Sequence, residues 1–210
     1  MTVRKQRMHA DLKQYLDSTL LGVHRIPEER KRALEDVAAL ISSKRKGGEP
    51  TELTFICTHN SRRSHMGQLW AAAAAAHFGL DGVHTYSGGT EATAFNPRAV
   101  AALHEAGFVI ESPGGDNPHY LVTYDEDGPV MECFSKRYDD PFNPAEGFAA
   151  IMTCSEANEA CPVVLGAALR APIRYEDPKI ADGTSNETAA YGERCLQIAT
   201  EMLYLFSRVL

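Results

Sequence analysis

Apolar residues recur at helical spacing twice near the start of the chain, at Leu12, Tyr15, Leu16 and Leu20, and again after Pro27 at Leu34, Val37, Leu40 and Ile41. Each set predicts a helix with one stripe to bury, and a proline suits the opening of the second. Residues 42–50 (SSKRKGGEP) are basic and carry two glycines and a proline, which predicts the end of that helix and a linker. The pattern thus divides a helical extension at 1–50 from a larger unit at 51–210.

From residue 51 the pattern alternates. Residues 53–56 read as a short apolar strand, 63–78 as an alanine-rich helix, 83–86 as a strand, and 97–106 as a helix closed by Gly107. This β-α-β order implies an α/β fold with a parallel sheet and right-handed crossovers. Residues 119–124 and 129–134 flank Asp127 and Gly128, a hairpin signal inside a longer insertion. A strand at 148–153, a short helical piece after Cys154, a strand at 171–175 and a last helix from about 187 to 208 complete the chain. No internal repeat is visible.

Composition narrows the class. With 210 residues, 44% hydrophobic and 23% charged, the chain can bury an ample core without staples, and disorder is disfavoured. The positive charges of the first residues are followed by no apolar stretch, and the most apolar window, 69–80, is mainly alanine. Neither a signal peptide nor a membrane anchor is expected, and a cytoplasmic protein is. Five cysteines at irregular separations do not form a secreted disulfide framework; they read as free thiols, metal ligands or redox catalysts. A net charge of −7 argues against general nucleic-acid binding but leaves room for a local basic pocket for a small anion.

Such a pocket is suggested where residues 53–56 pass into the helix at 63, through Cys57, Thr58, His59, Asn60, Ser61, Arg62, Arg63 and Ser64. Ligands of open parallel sheets bind beyond the carboxyl ends of strands, and a helix N-terminus offers free amides and a positive dipole end. A tetrahedral oxyanion fits there, and the same field favours a thiolate at Cys57. The planar fork of Arg63 can hold two oxygens of the anion, Ser64 can donate to the sulfur, and Asn60 tolerates the left-handed backbone that helps turn amides inward. Taken alone, a cysteine at a strand end is an ordinary small buried side chain. The strand before, the helix after and the Ser beside Arg63 favour function. No Gly-Lys-Ser/Thr ending is present, so nucleotide hydrolysis is not indicated.

FICTHNSRRSHMGQLW, YSGGTEATAFNPRAVAAL, MTCSEANEACPV and YEDP, in that order, resemble the low-molecular-weight protein tyrosine phosphatase superfamily over about residues 52–207, and within it the thioredoxin-coupled arsenate reductases. The resemblance implies a three-layer fold around a mostly parallel four-stranded sheet, here with N-terminal helices and a β-hairpin insertion added. His59 stands where the family usually has Gly, and Arg62 where it has a second Cys. By the same resemblance Asp177, before Pro178, is the acid that protonates the departing oxygen. Cys57 forms an adduct with arsenic, Cys154 attacks Cys57 to release arsenite, and Cys161 resolves the disulfide, which passes to thioredoxin. Ser87, in YSGG, matches a position that supports the loop.

Geometry adds a condition. Were residues 154–161 helical, their ends would lie roughly 10 Å apart, beyond the roughly 7 Å a disulfide allows, so the segment must unwind or be a loop during turnover. Phosphatases of the superfamily often carry tyrosines after the Asp-Pro; here Lys179, Ile180 and Ala181 follow, which weakens a phosphotyrosine reading. No Cys or His pairing suggests a metal site and no cofactor is called for. Cys133 and Cys195 read as packing residues, and His65, His77, His84 and His104 as solvated or half-buried. The expected activity is thioredoxin-coupled arsenate reduction. The alternatives are a phosphatase working through a phosphocysteine, and a non-enzymatic oxyanion-binding or redox-sensing module.

Overall fold

A computed structural model describes residues 7–160 and 163–210; Cys161 and Pro162 lie outside the described residues. The elements run in the order α1 (Ala10–Leu20), α2 (Glu28–Lys46), β1 (Thr51–Cys57), α3 (Arg63–His77), β2 (Val83–Gly89), α4 (Pro97–Glu105), β3 (Val109–Glu111), β4 (Tyr120–Thr123), β5 (Met131–Cys133), β6 (Ala149–Met152), α5 (Ser155–Ala160), β7 (Leu169–Pro172) and α6 (Glu187–Ser207). The main sheet has four strands in the order β2-β1-β6-β7, all parallel, which agrees with the four-stranded α/β expectation.

Side chains of a strand alternate between faces, and here both faces are covered. Leu53 and Phe55 of β1 and Ala149 and Ile151 of β6 join the large helical core, whereas Ile56, Ala150 and Met152 join a smaller cluster with Ala157 of α5. The large core also takes Leu12 and Leu16 of α1, Leu34, Val37 and Ile41 of α2, and Met202, Leu205 and Phe206 of α6. Trp70 of α3 is fully buried, stacked on Tyr15 of α1 at 5.2 Å between ring centres and edge-on to Phe108 at 4.9 Å. Rings at such separations add attraction beyond their buried area.

The sequence boundaries need four corrections. Residues 42–46, read as linker, continue α2: Ser42 is buried and its hydroxyl donates to the Ala38 carbonyl at 2.8 Å, so the helix is ended only by Gly47 and Gly48. β2 runs on from 86 to Gly89, because β1 pairs with it to the last residue, Cys57 opposite Gly89. β7 sits at Leu169–Pro172 rather than 171–175, and the chain then leaves the ladder. The hairpin of β4 and β5 forms, and it gains a third antiparallel strand, β3. β3 has only three residues, all at least partly exposed, and no period that marks it. No helix of the described residues is long and apolar enough to cross a membrane.

α3 can lie close on β1 because Gly67 has no side chain: a Cβ there would fall 2.4 Å from the Phe55 ring. That ring is fully buried and has no room to withdraw. Gly67→Ala should therefore destabilise the fold by about 1–3 kcal/mol, although alanine is the better helix former by about 1 kcal/mol. Urea unfolding followed by circular dichroism measures the balance, and a stabilised variant would refute the close-packing account.

Candidate active site

The loop between β1 and α3 is held by its carbonyls. The Cys57 carbonyl accepts from the Thr90 amide at 3.1 Å, Thr58 from Glu91 at 2.8 Å, Ser61 from Asn96 at 2.8 Å, and Arg62 from Met66 at 3.0 Å. The His59 carbonyl accepts from the hydroxyls of Thr93 and Ser135 at 3.1 and 3.0 Å. A planar trans peptide points its N–H opposite to its C=O, so the next amides in sequence turn toward the inner side of the loop. Such a concave run of N–H groups at a helix N-terminus favours an anion. Close approach on the outer side depends on Gly89, where a Cβ would lie 2.7 Å from both the Asn60 nitrogen and the Thr58 carbonyl oxygen.

Inside the loop the polar groups form one directed chain. Asn60 takes the left-handed conformation at φ 44°; its Oδ1 accepts from the Lys136 amide at 2.8 Å, and its Nδ2 donates to Ser64 Oγ at 2.9 Å. The same Ser64 hydroxyl lies 3.1 Å from Cys57 Sγ, within hydrogen-bond reach of it. Ser61 is anchored outward, donating to the Ala94 carbonyl at 2.7 Å.

Arg63, the first residue of α3, is buried. Its Nη1 donates to the Tyr175 carbonyl at 3.0 Å and its Nη2 to Asp177 Oδ2 at 2.7 Å, while its Nε is buried without a hydrogen-bond partner among the described residues. Asp177 caps a short 3-10 turn at Pro178–Ala181, accepting from the Lys179 amide at 3.1 Å. An open cleft of about 840 Å³ lies in front, lined by Arg63, Tyr175, Asp177, Lys179 and their neighbours. Arg62 turns the other way: Nε donates to the Tyr191 hydroxyl at 2.7 Å and Nη2 lies 3.5 Å from Asp182 Oδ2, with Asp177 Oδ1 at 4.0 Å. His59, half exposed, stands at the rim 3.7 Å from Glu91.

Cys154 follows β6, which pairs with β1 so that Met152 lies opposite Ile56. The Thr153 amide and hydroxyl both bond the Ile56 carbonyl, which brings Cys154 beside the loop, its Sγ 3.5 Å from Thr58 Oγ1 and 3.3 Å from the Ala157 amide. Burial pushes the Cys154 thiol up from its ordinary value. Cys133 and Cys195 lie elsewhere in the large core, each pushed up to about 12 by burial. Among the described residues no group of three or more His, Cys, Asp or Glu could hold a metal ion.

Ser87 does not touch the loop directly. Its hydroxyl lies 3.1 Å from His65 Nδ1, and His65, read from sequence as solvated or half-buried, is fully buried and stacked on Phe95 at 3.9 Å. Burial, with Lys136 nearby, holds His65 well below its ordinary value, and the Asn60 carbonyl offsets part of this. The ring is therefore neutral at pH 7. Sequence reasoning also missed Ser135 and Lys136, whose segment fastens His59 and Asn60 from the insertion. Nothing local marks them, because their contacts span more than seventy positions.

The family model of the low molecular weight phosphotyrosine protein phosphatases matches residues 52–115. An arsenate reductase of Bacillus licheniformis is 32% identical over 142 residues, spanning 67% of this chain and 83% of that protein. One from Bacillus subtilis is 30% identical over 140 residues, with the same coverage. The crystal structure of a low molecular weight phosphotyrosine phosphatase from Vibrio cholerae superposes on 75% of this chain and 95% of its own, at 15% identity and a TM-score of 0.49. The chain belongs to the low molecular weight phosphotyrosine protein phosphatase superfamily, alongside these bacterial arsenate reductases.

Proposed function

We propose that the protein is a cytoplasmic arsenate reductase that draws its electrons from thioredoxin, with residues 51–210 as the catalytic unit and 1–50 as a helical extension. The observation that carries this reading is the second thiol: Cys154 sits at the end of the strand next to β1, and its sulfur touches Thr58 of the loop that begins with Cys57. Hydrolysis of a phosphate ester needs one thiol, whereas reducing arsenate takes two electrons, most simply from two thiols that end as a disulfide.

In this scheme the loop amides of residues 58–64 and Arg63 hold arsenate. The Cys57 thiolate attacks arsenic and displaces a hydroxide, which leaves as water with the proton of Asp177. The Cys154 thiolate then attacks Cys57 Sγ; the S–As bond breaks, its electron pair stays on arsenic, and arsenite departs from a Cys57–Cys154 disulfide. Cys161 attacks Cys154, frees Cys57, and the Cys154–Cys161 disulfide is reduced by thioredoxin. α5 occupies Ser155–Ala160 between the two cysteines, so this exchange requires the helix to unwind. His59 and Arg62 leave the scheme intact: one is at the rim, and the other is drawn toward Tyr191 and Asp182.

A second reading, phosphate-monoester hydrolysis through a phosphocysteine, uses only Cys57, Arg63 and Asp177. The exposed Ile180 at the cleft wall suits small esters better than it would an aromatic sandwich. Cys161→Ser should stop multiple turnover of arsenate in a coupled thioredoxin and thioredoxin reductase assay, while leaving aryl phosphate hydrolysis nearly intact. Cys57→Ser should abolish both. Arsenate turnover that survives in Cys161→Ser would reject the three-thiol relay.

The raised Cys154 thiol sets the pH dependence. Below its folded value, which lies above the ordinary 9.0, its thiolate fraction grows about tenfold per pH unit. Formation of the Cys57–Cys154 disulfide in enzyme preloaded with arsenate should therefore accelerate from pH 7 to 9. Acid-quenched thiol counting follows it; a flat profile would mean that Cys154 is not the attacking group.

A further inference from the structure

After Pro172 the chain leaves the ladder of the main sheet, yet the segment that follows must carry Asp177 to a defined place. Among the described residues one backbone bond returns it to the sheet side, from the Tyr175 amide to the Thr153 carbonyl at 2.9 Å. The other anchor comes from the N-terminal extension. Arg30 of α2 donates from Nε to Glu201 of α6 at 3.1 Å and from Nη2 to the Arg174 carbonyl, and its guanidinium lies 5.1 Å from the centre of the Tyr175 ring. Glu201 is buried and takes a second donor, Gln197 Nε2, at 3.2 Å. Tyr175 is buried too, and its carbonyl receives Arg63 Nη1 while Asp177, after Glu176, receives Arg63 Nη2.

We propose that Arg30 is a positioning residue for the acid. One face of its fork is fixed by Glu201, the other holds the peptide joining Arg174 and Tyr175, and the plane covers the Tyr175 ring; together these set where Asp177 stands relative to Arg63. The backbone of Arg63 is placed by α3, so moving the segment shifts the acid relative to the oxyanion loop and disturbs the two contacts that the Arg63 guanidinium makes with it. The extension at 1–50 thereby contributes to the chemistry and not only to the core. Only a planar, multiply donating cation can make all three contacts, and a lysine ammonium cannot. What Asp177 does there rests on the proposed function.

Two variants test this. Arg30→Lys keeps a charge opposite Glu201 but cannot also serve the Arg174 carbonyl. Arg30→Met combined with Glu201→Gln removes the buried pair together, so that no unpaired charge destabilises the fold. Phenol is a poorer leaving group than 4-nitrophenol and needs the acid more. In both variants kcat/KM for phenyl phosphate should fall about tenfold relative to kcat/KM for 4-nitrophenyl phosphate, because that ratio reports the step that expels the leaving group. Equal losses on the two esters, or none, would overturn the inference. Should the wild-type protein turn over neither ester nor arsenate, the proposed function falls. Wherever ester turnover is absent, the inference is decided by the Arg63 Nε–H signal in nuclear magnetic resonance: displacement in both variants supports it, and an unmoved signal overturns it.

Discussion

A trans peptide cannot aim its carbonyl and its amide in the same direction, and the candidate active site is built on that constraint. The carbonyls of Cys57, Thr58, His59 and Ser61 are bonded outward to Thr90, Glu91, Thr93, Ser135 and Asn96, and that of Arg62 accepts from Met66 in the first turn of α3. The amides are left to face the other side, where the α3 N-terminus adds its dipole. The loop is thus shaped from behind, by the end of β2, the turn before α4 and the segment after β5. Gly89 permits the close approach, and Asn60 completes it by bonding Lys136 outward and Ser64 inward.

The charges around this frame have different main partners but meet at one carboxylate. Arg62 bonds Tyr191 and Asp182 and Arg63 bonds Tyr175 and Asp177, while Arg62 Nε also lies 4.0 Å from Asp177 Oδ1. One guanidinium ties the loop to α6, and the other faces the cleft with the carboxylate that serves as candidate acid. The two thiols are both buried, Cys57 beside the Ser64 hydroxyl and Cys154 beside that of Thr58, and burial pushes the Cys154 thiol toward its neutral form.

The segment from Pro172 to Asp177 joins both themes. It lies off the ladder, and what holds it comes from Thr153 on one side and from Arg30 on α2, with Glu201 on α6, on the other. Glu201 is a buried carboxylate, and such a group is tolerated only when paired and hydrogen-bonded. Arg30 and Gln197 both donate to its Oε1, and the same arginine fixes the approach to Asp177. Packing of the N-terminal helices and placement of the candidate acid therefore share one side chain.

Sequence alone determined what is local. The helical stripes of α1 and α2, the alternation that gives a parallel α/β sheet, the hairpin about Asp127 and Gly128, and the strand-loop-helix from Cys57 to Ser64 all follow from spacing over a few residues, because periodicity and turn chemistry act at that range. Element ends were less legible: a buried Ser42 bonded back into its helix, and a strand continued only because its neighbour pairs to the end, depend on contacts that composition does not record. The tertiary structure decided the rest. It buried His65 against Phe95 with Ser87 beside it, brought Ser135 and Lys136 behind the loop, set Cys154 against Thr58, and ran Arg30 to the segment of Asp177. Each of these joins residues far apart in the chain, and a polar group's partner at that distance is chosen by how the layers pack, not by its neighbours in sequence.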